Sequence, residues 1–453
     1  MMAATDIENA AILSRRSAGG PVAFLITIPV YSMFIFYLNL PVYFTLASIV
    51  LFSTCVLGLF FGPSKWFGIK SIFYVFNIFF FCIIPALEMN AGVVHWDGPL
   101  DVFDKYSITV TYSIVLVAIF EISYRVFYIS GGLKLSNYIY RSQHNYNVYL
   151  IILFSFMSAI IIYAYNGFLP QSVMLRSGYL TDRVQLTQTQ WLIYQYFIYP
   201  IPTISFIIYL NYCKRASINT LILLFIFIFS NPITGMARFQ AASLYIAVFL
   251  SLYPSLIKHK VILSTLLIMG LIFIFPALDI FRFFGQREYG HIFSTDFLYN
   301  GTFDSFQSFA RVIGNDDIIT YGRQLLGSFL FFIPRSLWAE KPYGSGAFVA
   351  EEMDLNFSNI AINYMAEGYI NFGILGSILF IIFAAYISSR MDKNFYKFFY
   401  VESRWHKPFY LIFIGLSFFI MRGDLLSSVS YALGHLAATI ALTWLTRSLP
   451  LRR

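Results

Sequence analysis

Val261-Ile262-Leu263-Ser264-Thr265-Leu266-Leu267-Ile268-Met269-Gly270-Leu271-Ile272-Phe273-Ile274-Phe275-Pro276-Ala277-Leu278-Asp279-Ile280 carries one charge, next to its end. A run of about 20 apolar residues is long enough to cross the hydrocarbon core of a bilayer as a helix. The rest of the chain repeats this pattern. Hydrophobic residues make up 58% of the 453, charged residues 11%, and mean hydropathy is +0.70. Those values exclude an ordinary soluble domain. Twelve spans are expected: 22–38, 42–61, 70–88, 107–128, 147–165, 191–211, 217–230, 239–257, 261–280, 368–389, 407–421 and 430–447. The fold class expected is therefore all-α, a single polytopic membrane domain over residues 1–453. Arg15 and Arg16 precede the first span without a cleavage pattern, so that span is read as an anchor.

The twelve spans leave one long polar interruption, residues 281–366, which carries Arg282, Arg287, Arg311, Arg323, Arg335 and Lys341. With the N-terminus inside, the inner segments hold nineteen of the thirty Lys and Arg residues, and the outer segments hold most of the acids. That distribution obeys the positive-inside rule and places the long loop outside. It also accounts for the net charge of +8 without a nucleic-acid partner.

Several chemistries find no support. Cys55, Cys82 and Cys213 are widely spaced and read as apolar fillers. The six histidines show no metal-ligand spacing, so no metal is expected. There is no phosphate loop and no GxGxxG after a strand, so no nucleotide or other cofactor is expected. Energy for any reaction has to come from the substrate or from a gradient.

The informative cations lie in outer segments. Arg238 ends a tight turn, Asn231-Pro232-Ile233-Thr234-Gly235-Met236-Ala237-Arg238, and begins a helix, where the helix dipole disfavours a cation. Arg282 follows Asp279 by three residues, which also suits a plain ion pair. Arg422 stands in Met421-Arg422-Gly423-Asp424, where a turn salt bridge is the simpler alternative. Arg176 and Arg183 occupy another outer loop and are equally readable as solvated charges. Lys105, Arg311 and Arg323 read as surface charges. Arginine presents a planar fork that binds phosphate oxygens at two points, so several brought together suit a diphosphate. Glu367 either caps a helix start or acts as a general base at the membrane face. Residues 324–338 turn apolar and stop at Pro334, which predicts a re-entrant or interfacial helix holding Arg335 and Lys341 near a lipid phosphate.

Phe331-Phe332-Ile333-Pro334-Arg335-Ser336-Leu337-Trp338-Ala339-Glu340-Lys341-Pro342-Tyr343-Gly344-Ser345-Gly346, together with Glu367-Gly368-Tyr369-Ile370-Asn371-Phe372-Gly373-Ile374-Leu375-Gly376, resembles the Wzy-type O-antigen or repeat-unit polymerases of bacteria. Gly235-Met236-Ala237-Arg238 is similar to that family's Gly-x-x-Arg turn, and Arg422-Gly423 to its late outer arginine. The resemblance implies an inner-membrane glycosyltransferase of glycosyltransferase-C-like architecture, with both termini cytoplasmic and a periplasmic active site. It implies that an undecaprenyl-diphosphate-linked glycan is moved to the non-reducing end of a second lipid-linked unit. Arg335, Arg282 and Glu367 would be catalytic, and Arg176, Arg238, Lys341 and Arg422 would hold the diphosphate. A chain-length regulator and a flippase of the same pathway are the implied protein partners. An O-antigen ligase shares the topology but carries a histidine near the end of its long loop, whereas His291 lies near the beginning of this one. A lipid-linked glycan flippase, the reading from another class, calls for mid-span charge pairs and broken helices; Pro200 and Pro202 break one span.

Overall fold

A computed structural model describes residues 19–64, 66–130, 146–175, 184–213, 217–282, 301–400 and 405–447. Among these residues the chain is all-helical, and its only β-type pairing is an isolated bridge between Tyr146 and Arg447. The principal helices are α1 (Gly19–Tyr37), α2 (Val42–Phe60), α3 (Ile69–Ala91), α4 (Tyr106–Ser130), α5 (Val148–Tyr165), α6 (Gln188–Tyr212), α7 (Ile218–Ser230) and α8 (Arg238–Leu252). Then come α9, which runs from Lys260–Met269 through Phe275–Arg282, α10 (Ser305–Val312), α11 (Arg323–Phe329), α12 (Ser345–Glu352), α13 (Tyr364–Tyr400), α14 (His406–Arg422) and α15 (Leu425–Leu445).

Eight helices among the described residues are long and apolar enough to cross a membrane. Their outward faces and those of their shorter neighbours expose Leu25, Ile122, Phe225, Leu379 and Trp444, as expected of surfaces turned to lipid. Inside, aromatic side chains interlock: Phe73 stacks on Phe120 with ring centroids 3.7 Å apart, and Phe76 stacks on Phe80 at 4.8 Å.

Three of the long helices contain a π turn: Ile78–Ile83 in α3, Ile193–Ile198 in α6 and Gly270–Ile274 in α9. Each ends two residues before a proline, respectively Pro85, Pro200 and Pro276. A proline ring inside a helix collides with the carbonyl four residues earlier. Those carbonyls belong to Phe81, Tyr196 and Ile272, all inside the widened turns. The N–H groups of Ile84, Tyr199 and Phe275 reach back five residues instead, to Phe79, Tyr194 and Gly270. Hydrogen bonding is thus kept in a setting without water to replace it.

One end of the bundle is clasped by Asp392 of α13. Its carboxylate accepts the N–H groups of Ile69 and Lys70 at the start of α3 and the hydroxyls of Tyr124 and Tyr410, at 2.8–3.1 Å. Lys70, itself buried, pairs with Glu121 at 2.8 Å. The site residues lie at the other end.

Candidate functional site

The turn before α8 is dictated by Gly235, since a Cβ there would lie 1.9 Å from the Val173 carbonyl oxygen. Thr234 fixes the same contact by donating to the Met174 carbonyl. The chain then enters α8 at Arg238, whose guanidinium sits 4.7 Å from the Phe275 ring centre. Arg422, at the end of α14, sits 4.3 Å from the Phe239 ring centre. Phe239 and Phe275 pack against each other at 4.7 Å. Two arginines from separate turns therefore share one aromatic floor. The backbone of Arg282 closes α9, the helix that supplies Phe275; its side chain lies outside the described part.

Arg422 does not pair with Asp424, the neighbour that a turn bridge would use. Its Nη2 donates to the Thr302 carbonyl at 2.5 Å and to Asp304 Oδ1 at 3.3 Å. Asp304 is 1% exposed, and its other oxygen accepts from Trp96 Nε1 (2.9 Å) and the Ala361 N–H (3.1 Å). A buried carboxylate with this many donors fixes the direction of the guanidinium. Nothing in the sequence singles out Asp304, because it is one acid among many in the loop and its partners are remote along the chain.

Glu367 is fully buried. It accepts from Ser345 Oγ at 2.8 Å and from the Leu425 N–H at 2.6 Å, which ties α13 to the starts of α12 and α15. The Leu425 N–H belongs to the first turn of α15, where intrahelical partners are lacking and the dipole favours an anion. Asp424 caps that helix through the Ser427 N–H at 2.8 Å. Its carboxylate presses on Gly344, where a Cβ would meet Oδ2 at 2.1 Å. Withdrawal from solvent raises the Asp424 carboxyl above its ordinary range, against the hydrogen bonding from Ser427.

The motif around Glu367 has a steric explanation. Phe372 (φ −149°, ψ 26°) and Gly373 (φ 62°, ψ −148°) break α13, and Gly373 holds a conformation natural only to glycine. The break lays 365–368 beside 376–377. A Cβ on Gly376 would lie 2.0 Å from the Gly368 carbonyl oxygen, and Ser377 Oγ donates to the Met365 carbonyl at 2.9 Å.

In the stretch expected to be re-entrant, only α11 is regular helix; turns follow. Leu326, Phe329, Phe332 and Leu337 are exposed. Arg335 donates to the carbonyls of Lys341 (2.6 Å) and Pro342 (3.3 Å) and stacks 4.0 Å from the Tyr343 ring centre. Lys341 Nζ donates to the carbonyls of Phe331 (2.6 Å) and Ile333 (2.9 Å). Desolvation, then the nearby Arg335 charge, lower the Lys341 pKa. Both cations thus hold the loop's own backbone, and neither touches Arg238 or Arg422 through any of these contacts.

Arg311 is not a surface charge. It is 3% exposed and donates to the His95 carbonyl (2.5 Å) and Gln307 Oε1 (3.0 Å). Beside it, buried Glu88 accepts from Tyr106 (2.8 Å) and lies 2.9 Å from His95 Nε2. This network anchors the loop between α3 and α4 to α10. Arg323 is exposed, as a surface charge should be. Arg176, Arg183, Arg287 and His291 lie outside the described residues. Among the described residues no group of three His, Cys, Asp or Glu side chains is placed to hold a metal ion. Comparisons with protein-family models, curated proteins and solved structures give no match to the chain.

Proposed function

We propose that the chain is a membrane glycosyltransferase with twelve crossings, which polymerises lipid-diphosphate-linked oligosaccharide repeat units at its outer face. The observation that carries this reading is the convergence of Arg238 and Arg422, from two separate turns, on the Phe239–Phe275 pair, with Asp304 orienting one of them. Two guanidiniums at the outer end of an apolar bundle suit a diphosphate whose polyprenyl tail stays in the bilayer.

In the reaction, an acceptor sugar hydroxyl attacks the anomeric carbon of the donor glycan. The new glycosidic C–O bond forms as the bond to the diphosphate oxygen breaks, and undecaprenyl diphosphate departs. Arg238 and Arg422 would offset the charge that develops on the leaving group, with Arg282 contributing from the end of α9. The acceptor proton goes to a base, for which Glu367 is the proposed group. Arg335 and Lys341 enter this scheme through the loop whose backbone they clamp.

The test is reconstitution of the purified protein in liposomes with lipid-linked repeat units alone. The expected product is a ladder of lengthened lipid-linked chains, lost in Arg238→Ala and Arg422→Ala. Transfer only to a lipid A core would replace the proposal with a ligase. Unchanged substrate appearing in the opposite leaflet would replace it with a flippase.

A further inference from the structure

A second polar constellation lies among α6, α8 and α15, apart from the arginines. Gln195 stands within the π turn of α6, and its Nε2 donates to Gln240 Oε1 (3.1 Å) and to the Tyr431 hydroxyl (3.0 Å). Gly434 allows α15 to come this near, since a Cβ there would lie 2.5 Å from the Tyr196 backbone oxygen. One turn further into α15, His435 is fully buried, its Nδ1 2.7 Å from the Tyr431 carbonyl. A carbonyl only accepts, so Nδ1 carries the proton and Nε2 presents a lone pair.

Two of these groups lack a hydrogen-bond partner among the described residues: His435 Nε2, an acceptor, and Gln240 Nε2, a donor on a side chain 5% exposed. Leaving such groups unmatched is costly, and an apolar bundle would select against them unless something completes them. A single partner completing both has to supply a donor and an acceptor. A carboxylate or phosphate cannot donate to His435, and an ammonium cannot accept from Gln240. A hydroxyl-bearing neutral ligand does both. Gln195 and Tyr431 are only half-buried, so the constellation is not sealed at these two residues. Next to them Tyr196 packs edge-on against Tyr431 (4.6 Å) and Trp191 (5.5 Å), with the Phe331 ring centre 6.4 Å from its own. Aromatic walls with a few placed amide and hydroxyl groups are the lining of a small-molecule subsite.

We infer that Gln195, Gln240, Tyr431 and His435 form a subsite for the hydroxyls of an uncharged sugar, separate from the arginine cluster and near Phe331. The inference rests on the proposed polymerase only for the source of that sugar, a lipid-linked repeat unit.

The test uses the full-length protein in nanodiscs and, as probe, the phosphate-free oligosaccharide cut from the lipid-linked repeat unit. Binding is read by saturation-transfer NMR. The expected result is binding to the wild type that is weakened roughly tenfold in Gln240→Leu and in Tyr431→Phe, about one neutral hydrogen bond each. His435→Leu should act likewise, and thermal melting identifies any variant that fails to fold. Arg238→Ala and Arg422→Ala should bind the phosphate-free probe as the wild type does. No binding to the wild type, as with a site filled by water alone, would overturn the inference, as would equal binding in all three subsite variants. Glycan binding without chain lengthening in liposomes would remove the polymerase reading and leave the subsite standing. Chain lengthening without glycan binding would do the reverse.

Discussion

Asp304 and Glu367 are both buried carboxylates, yet they face opposite requirements. Asp304 meets a guanidinium, so removing it takes from Arg422 its buried counter-charge and from Trp96 Nε1 its acceptor. Asp304→Ala should therefore destabilise the protein by about 3 kcal/mol. Thermal unfolding in detergent measures this, and a melting point equal to the wild type's would reject the anchoring role. Among the described residues Glu367 meets only neutral donors, Ser345 and Leu425. Glu367→Gln keeps the shape and an acceptor for the Leu425 N–H, so folding should survive. If Glu367 is the base, the rate of chain lengthening should fall by about a hundredfold or more. Polymerisation at full rate by the Glu367→Gln variant would exclude it. At this scale the sequence is informative where a residue is costly in its local setting, as with Arg238 at a helix start and Arg422 between two spans. It misleads where charge suggests solvent: Arg311 looks like Arg323 in the sequence but is sealed beneath His95 and Gln307.

Among the elements, α13 shows how a glycine motif becomes legible only through the fold. Gly368, Gly373 and Gly376 are plainly glycines in a helical stretch, but the reversal that needs them is tertiary. Gly373→Ala forces a side chain into a backbone region that only glycine favours and should cost about 1–3 kcal/mol. Gly376→Ala should cost more than an ordinary surface glycine substitution, because its methyl overlaps the Gly368 carbonyl. Equilibrium unfolding of both variants checks the pair; wild-type stability in either would mean the reversal is not held as described. The apolar run of 324–338 predicts a re-entrant or interfacial helix. Regular helix stops at Phe329, ahead of Pro334, and Lys341 holds the turns that follow by capturing the carbonyls of Phe331 and Ile333, contacts that no local pattern encodes.

For the whole molecule, the periodic apolar runs make the all-helical membrane architecture readable, and eight long helices follow them closely. The spacing of spans by itself does not reveal which ends meet. The clasp of Asp392 on α3 and the meeting of α8, α9 and α14 through Phe239 depend on contacts between distant segments. The proposed orientation predicts labelling: Leu337→Cys should react with an impermeant thiol reagent from the outer side in intact cells, whereas Phe61→Cys should react only after permeabilisation. The reverse pattern would invert the topology.

The three proline-linked π turns have a mechanical consequence. They lie at the middle of α3 and α9 and nearer the arginine end of α6, whereas the start of α3, on the side of Asp392, is regular helix tied by charge. A turn bonded five residues back can slide by one residue without unravelling its neighbours. The root of α3 should then be stiffer than the π turn of α6. Hydrogen–deuterium exchange should show this gradient, with the amides of Ile193–Ile198 exchanging faster than those of Ile69–Asn77.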